Sequence, residues 1–422
     1  MMISLNELIN KNEVVKTNAV KKLSISGVDK TNFDVYRIPL KYLYYNNQNG
    51  RINTAYKRFI VKRGIDDFAP ATDNQDPEYN QILENLIYNS NKESMRLTMD
   101  SIDEKGQQEP GVVLNDGRVI DGNRRYTALR KIESRKEISQ YFEAVILPLD
   151  MSTDIDKKNI KLLEVDLQFG REEKIDYDPI DRVFDVYDAV KVQKIVTAKE
   201  YAAKKGNKNV RTVNTDIEEA KLIIEYLQFV NAPENAYYLA KDMKLDGPMH
   251  EISRALRKYK GKDKSSVREV IFAVLSSLYS KGGDITRDIR KILENIIDTP
   301  QKSKYLNQTQ DFVDDIYDAY HNEKSNVIEN AEDVSTKIVE DKNAGDSAEQ
   351  LLIYSNQLVR RGKSDEGRKK ALNNIRSALN DVTDVSNEDI KALNADEYKD
   401  AIDVLNKLYH IVGNLKEIKY YD

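Results

Sequence analysis

The chain has 422 residues, no cysteine, 32% charged side chains and a net charge of −5. The missing cysteines exclude disulfides and thiolate metal sites and suit a reducing, cytoplasmic setting. No apolar run is long enough to cross a bilayer, and the acidic balance excludes a surface that coats nucleic acid all over, so such contact would be local.

The length suits roughly two to four domains. Residues 1–32 read as a polar lead-in without a signal-peptide core. Residues 33–150 read as mixed α/β. Asp34 to Leu43 is strand-like, YNNQNGRIN is turn-rich, and residues 65–80 with their two prolines read as loop. Residues 92–105 carry Met95, Met99 and Ile102 on one helical face, and Gly106 stops them. Val112–Leu114 and Val119–Ile120 flank Asn115-Asp116-Gly117, a hairpin signal.

VIDGNRRYTALRKI then runs from Val119 to Ile132. Tyr126, Leu129 and Ile132 are spaced for burial on a helix whose start carries Gly122, Arg124 and Arg125. A helix N-terminus offers unpaired N–H groups and partial positive charge. A glycine there admits a ligand closely, and guanidinium groups grip phosphate or carboxylate in a fork. The same residues also suit a tight turn with solvated arginines. FEAVIL (142–147) is the next strand, ended by Pro148.

From 151 to 232 the chain reads as helical. Residues 155–169 place Ile160, Leu163 and Leu167 on one side. Asp178 suits an N-cap with Pro179 at the first helical position. Thr197 to Glu200 is a capping box opening AKEYAAKK, closed by Gly206. A second helix from about Val210 completes a helix-turn-helix pattern. Residues 233–321 read as a helical domain broken at Gly247-Pro248 and Gly282-Gly283, and 322–346 as an acidic linker. Residues 347–422 read as a C-terminal helical bundle, with Ile402, Leu405, Tyr409, Val412 and Leu415 on one face. His250, His321 and His410 lie far apart, so the sequence predicts no histidine metal site.

In order and spacing these segments resemble the ParB/sulfiredoxin-like superfamily, and within it the ParB N-terminal domain followed by a helix-turn-helix. YRIPLKYLYYNNQNGR is similar to the family's opening strand and Asn-rich turn. LTMDSIDEKGQQEPGVVL resembles its helix, glycine and Gln-Pro strand. VIDGNRRYTALR is similar to its Gly-Glu-Arg-Arg box, and LLEVDLQFGREEKIDYDPIDR to its second box. The likeness covers roughly residues 33–230. It implies an α+β N-terminal domain followed by a mostly α-helical remainder, a helix-turn-helix plus a helical bundle.

The resemblance also implies a cytidine nucleotide, or another NTP, bound with Mg²⁺. Gly122, Asn123, Arg124 and Arg125 would contact phosphates, Gln168 and Arg171 would contribute from the second box, Asp166 would stand near the metal, and Gln108 and Pro110 would lie by the base. Asn123 stands where the family's first box has a glutamate, which bears on hydrolysis more than on binding. Val165-Asp166 replaces Glu-Asn in the second box, and Phe169-Gly170 precedes Arg171.

For DNA, Arg211, Thr212 and Asn214 start the second helix of the helix-turn-helix, supported by Lys204, Lys205 and Lys208. Asp216, Glu218 and Glu219 follow at once and would repel phosphates. Three functions compete. The first is a nucleotide-gated DNA-binding protein of plasmid or phage partition or regulation, homodimeric through its C-terminal helices. The second is a nuclease or NTPase of restriction or defence type, with Asp121 catalytic or metal-binding. The third is an inactive adaptor that binds a protein partner through the helical C-terminal half. None of them requires a membrane.

Overall fold

A computed structural model of the protein describes residues 4–26, 28–70, 76–169, 178–205, 209–322 and 326–417. The chain forms two compact units, Met1–Ser355 and Asn356–Asp422. The N-terminal part carries α1 (Leu5–Asn10), β1 (Val15–Lys22), β2 (Asn32–Pro39), β3 (Tyr44–Tyr45), α2 (Asn53–Arg63), α3 (Pro77–Ser90) and α4 (Lys92–Lys105). There follow β4 (Gly111–Leu114), β5 (Arg118–Asp121), α5 (Asn123–Lys136) and β6 (Tyr141–Leu147). The six strands make one mixed sheet in the order β1-β2-β6-β4-β5-β3. β4 pairs with β6 in parallel and with β5 as an antiparallel hairpin, turned at Gly117 with φ 91°.

Strand alternation divides the core. Val113, Val119, Phe142 and Ala144 face a cluster built with α1 to α5. Val112, Ile120, Val145 and Leu147 face the opposite side, where α6 (Asp154–Phe169) packs through Ile160 and Leu163. The mixed α/β start followed by helices therefore agrees with the sequence.

Three segments differ from the sequence expectation. The lead-in is part of the domain: Leu5 and Leu8 are buried, and β1 is an edge strand of the sheet. Its polar sequence, VKTNAVKK, hides it because an edge strand with both faces largely wet shows no apolar alternation. The expected loop ends at Asp76, whose side chain caps α3 with Pro77 at the first position. The expected strand over Asp34–Leu43 ends at Pro39, and Leu40–Tyr42 is a 3-10 turn.

Then come α7 (Pro179–Tyr187), α8 (Ala198–Lys204) and α9 (Val210–Phe229). Asp178 caps α7 through the N–H groups of Ile180 and Asp181, and the Thr197–Glu200 capping box is formed. A helical layer continues with α10 (Tyr237–Asp242), α11 (Asp246–Lys258), α12 (Lys264–Lys281), α13 (Ile285–Ile292), α14 (Lys302–His321) and α15 (Ala331–Glu340). Gly247 and Pro248 sit in the first turn of α11 rather than breaking a helix, whereas Gly282 caps α12 with φ 78°. The segment read as an acidic linker is packed: Ile328, Val334 and Ile338 are buried, and α15 lies against α12. Three apolar residues among many charges were too few to outweigh composition.

The helix α16 (Lys342–Thr383) carries the boundary between the units, and α17 (Asn387–Lys391) and α18 (Ala395–Glu417) follow. In the second unit Leu372, Ile375, Leu379, Ile402, Leu405, Tyr409 and Val412 are exposed. The expected bundle therefore does not bury its own apolar face. Among the described residues no helix is long and apolar enough to cross a membrane.

Candidate anion-binding site

β5 ends at Asp121, the chain turns at Gly122, and α5 begins at Asn123. Gly122 adopts φ 93°, in the left-handed region that glycine alone enters freely. A Cβ there would lie 2.9 Å from Phe142 Cζ and 3.0 Å from Arg125 Nη2. The space beside Gly122 is thus filled by the protein's own phenyl and guanidinium groups. The glycine serves the turn and this packing rather than close approach of a ligand. No side chain caps α5, and the residues of its positive end, Gly122 to Arg125, line the pocket.

That pocket, of about 730 Å³, brings several segments together. Gly122, Asn123, Arg124 and Arg125 of the first box line it, with Gln108 and Asp121. Glu164, Leu167 and Gln168 of α6 form another wall, and Ser94, Thr98 and Ser101 of α4 a third. Arg125 donates through Nη2 to Asp121 Oδ2 at 3.1 Å, and through Nη1 to Glu109 O at 2.7 Å and Glu109 Oε2 at 3.0 Å. Lys21 of the edge strand β1 donates to Pro110 O at 2.6 Å. Burial lowers the Lys21 pKa against the pull of Asp121 and Glu109.

Three buried acceptors in this wall have no hydrogen-bond partner among the described residues: Asn123 Oδ1, Glu164 Oε1 and Gln168 Oε1. Asn123 is 8% and Glu164 4% exposed. A buried acceptor without a donor costs about 1–3 kcal/mol, so a ligand that brings donors or a cation to these atoms would relieve that cost. The other Glu164 oxygen accepts from Lys161 Nζ at 3.3 Å, and Lys161 donates to Asp185 at 2.6 Å. Tyr201 of α8 donates to the second Asp185 oxygen at 2.8 Å. Burial, reinforced by Asp185 and Asp121 and opposed by Lys161, pushes the Glu164 pKa up to about 7. Burial alone would discharge Lys161, but Asp185 and Glu164 outweigh it and keep the ammonium charged.

Asp166 does not line this pocket. It is one-third exposed and its Oδ2 lies 4.0 Å from Lys204 Nζ. Helical geometry explains this: residues 164 and 168 share a face of α6, and 166 lies two residues, about 200°, away. Pro110 presents its carbonyl to Lys21 instead of lining the pocket. Arg171 and Lys208 lie outside the described residues. Among the described residues no group of three His, Cys, Asp or Glu side chains is arranged to hold a metal. The side-chain oxygens of Asp121, Asn123, Glu164 and Gln168 belong to residues that line this one pocket, two carboxylates and two amides.

The α8–α9 pair is formed, and Arg211, Thr212 and Asn214 are exposed at the start of α9. Lys205 is mostly buried beside Asp216, 3.7 Å away, and Lys204 faces Asp166. Both lysines thus stand beside carboxylates of the protein itself. The acidic residues expected to repel phosphate are mostly turned inward. Asp216 is 4% exposed beside Arg182, and Glu219 is 4% exposed beside His250. Only Glu218 is exposed, and it is paired with Lys221 at 2.8 Å.

No family model matches the chain, and no curated protein matches it.

Proposed function

We propose that the protein is a ParB-like nucleotide-binding and DNA-binding protein that takes a nucleoside triphosphate, CTP foremost, in the pocket at the start of α5. One observation carries this reading. The uncapped N-terminus of α5 and Arg124 and Arg125 line the same pocket as three unpartnered buried oxygens. The cationic side meets phosphate. The acceptor side meets Mg²⁺ on the phosphates, with Glu164, Asp121, Asn123 and Gln168 as its donors in place of Asp166. The cation would neutralise phosphate charge. Arg125, held by Asp121 and Glu109, would orient the phosphates. Exposed Leu97, which also lines the pocket, offers a flat apolar contact for a base.

DNA would meet Arg211, Thr212 and Asn214 at the start of α9. Self-association would use the second unit. On α18, Tyr398, Ile402, Leu405, Tyr409 and Val412 follow alternating spacings of four and three, and all are exposed. That is a coiled-coil seam, which a second copy of the same chain would cover. The test is a thermal-shift screen of the four ribonucleoside triphosphates with Mg²⁺ and with EDTA. CTP with Mg²⁺ is expected to raise Tm most. Equal, negligible shifts for all four would refute the reading.

A second reading, phosphoryl hydrolysis of the restriction or defence type, is favoured by Glu164, whose pKa near 7 suits a general base. Phosphate release that Glu164→Gln abolishes, with binding retained, would support it.

A further inference from the structure

We infer that a second polyanion surface flanks α9, built by the C-terminal end of α11 and the loop that follows it, and that it grips the backbone of a nucleic-acid duplex. This extends the duplex-binding half of the reading above and is independent of the nucleotide pocket.

Two contacts set the geometry. Arg257 of α11 donates to Thr215 Oγ1 of α9, and His250 Nδ1 lies 3.2 Å from Glu219 Oε2. Going up α9 from 215 to 219 means going down α11 from 257 to 250, so the two helices run antiparallel. The basic end of α11 therefore lies beside the exposed start of α9. Arg211 is one helical turn, about 6 Å, from Thr215.

At that end the sequence reads RALRKYKGKDK, from Arg254 to Lys264, with six cations and one acid. Lys258, Lys260, Lys262 and Lys264 are exposed and have no ion pair among the described residues. The acids that would neutralise them are already committed. Asp263 pairs with Lys302 at 2.8 Å and accepts from Tyr259 at 2.5 Å. Glu251 is 8% exposed and pairs with Arg254 and Arg290. The same Tyr259–Asp263 contact closes the loop, and a Cβ on Gly261 would meet both residues at 2.4 Å. The lysines thus project from a folded loop in an otherwise acidic chain.

The spacing fits a duplex. Packed helices stand 8–10 Å apart as a rule, and a major groove is about 12 Å wide. With the start of α9 at the groove, the lysine loop reaches the flanking phosphates. Each lysine on a phosphate releases a counterion and steepens the salt dependence by about 0.9 in log–log slope. These contacts position the protein and carry no sequence information.

The experiment uses the full chain, a fluorescently labelled duplex of random sequence and a salt series read by anisotropy. Lys258→Gln/Lys260→Gln/Lys262→Gln is compared with the wild type and with Arg211→Ala/Asn214→Ala, after circular dichroism verifies folding. The triple variant is expected to bind at least tenfold more weakly, with a slope shallower by about 2.7. Unchanged affinity and slope in the triple variant, with loss in Arg211→Ala/Asn214→Ala, would overturn the inference and leave α9 as the DNA contact. A wild type that binds polyglutamate but no duplex would also overturn it, in favour of an acidic protein partner. Neither result touches the nucleotide pocket, which the thermal-shift screen judges separately.

Discussion

Arg125 and Asp121 stand one helical turn apart across the start of α5, with Nη2 3.1 Å from Oδ2, and both are mostly buried. The carboxylate holds the guanidinium in place, and Glu109 holds it from the other side at 3.0 Å. Arg125 is therefore preorganised, and an anion that reaches it needs little rearrangement of that side chain. Arg125→Lys keeps the charge but loses the fork. It is expected to weaken nucleotide binding about tenfold, roughly 1.4 kcal/mol, as measured by calorimetry, with Tm little changed.

The turn before α5 gives a stability prediction. Gly122→Ala places a Cβ at φ 93° within 2.9 Å of Phe142. Left-handed backbone costs a non-glycine residue roughly 1–2 kcal/mol, and the contact adds to it. Chemical denaturation should show a loss of at least that size. An unchanged midpoint would show that the turn can relax.

Glu164 sets a pH dependence. Its folded pKa, about 7, lies above the ordinary value of 4.5, so between these values the folded chain holds a proton that the unfolded chain releases. The stability this contributes is present below about pH 4.5 and is lost as pH rises through 7. Glu164→Gln should therefore be more stable than the wild type at pH 8, on the order of 1–3 kcal/mol, with the gap closing by pH 5. Denaturant midpoints at the two pH values check this.

The same group gives ligand binding two opposite pH trends. If ionised Glu164 holds Mg²⁺ as proposed, nucleotide affinity in Mg²⁺ should rise from pH 6 to pH 8. In EDTA the new negative charge repels phosphate, so affinity should fall over the same range. Parallel trends under both conditions would contradict a role for Glu164 toward the cation.

The exposed seam of α18 predicts self-association. Leu405→Glu/Tyr409→Glu places two charges at its centre and should convert a dimer into a monomer in sedimentation velocity, without change in nucleotide affinity. A monomeric wild type would remove this part of the account.

Elements with a local physical signature were legible in the sequence. The Asn-Asp-Gly hairpin, the Thr197–Glu200 capping box, the Asp178-Pro179 start and the burial of Tyr126, Leu129 and Ile132 all rest on neighbours within a few residues. Elements defined by distant partners were not. β1 becomes a strand because β2 pairs with it, and its Lys21 reaches Pro110 across the sheet. Within the pocket, the start of α5 was readable because glycine and arginine cluster in one box. On α6, helical spacing puts Glu164 with Gln168 in the pocket wall and leaves Asp166 outside it. Ser94, Thr98 and Ser101 line the pocket from one face of α4, beside Ile102, and hydroxyls at that helical spacing are a signal the sequence carries. At α9, Asp216 and Glu219 looked like repelling charges because their inward partners, Arg182 and His250, sit on other helices.

The most direct test of the central claim is a calorimetric titration of CTP with Mg²⁺ into the wild type and into Arg124→Ala/Arg125→Ala, side by side. The account predicts saturable one-site binding in the wild type, weakened at least a hundredfold in the variant while its circular dichroism spectrum is retained. Equal binding by both proteins, or none by the wild type, would contradict it and make the paired arginines structural.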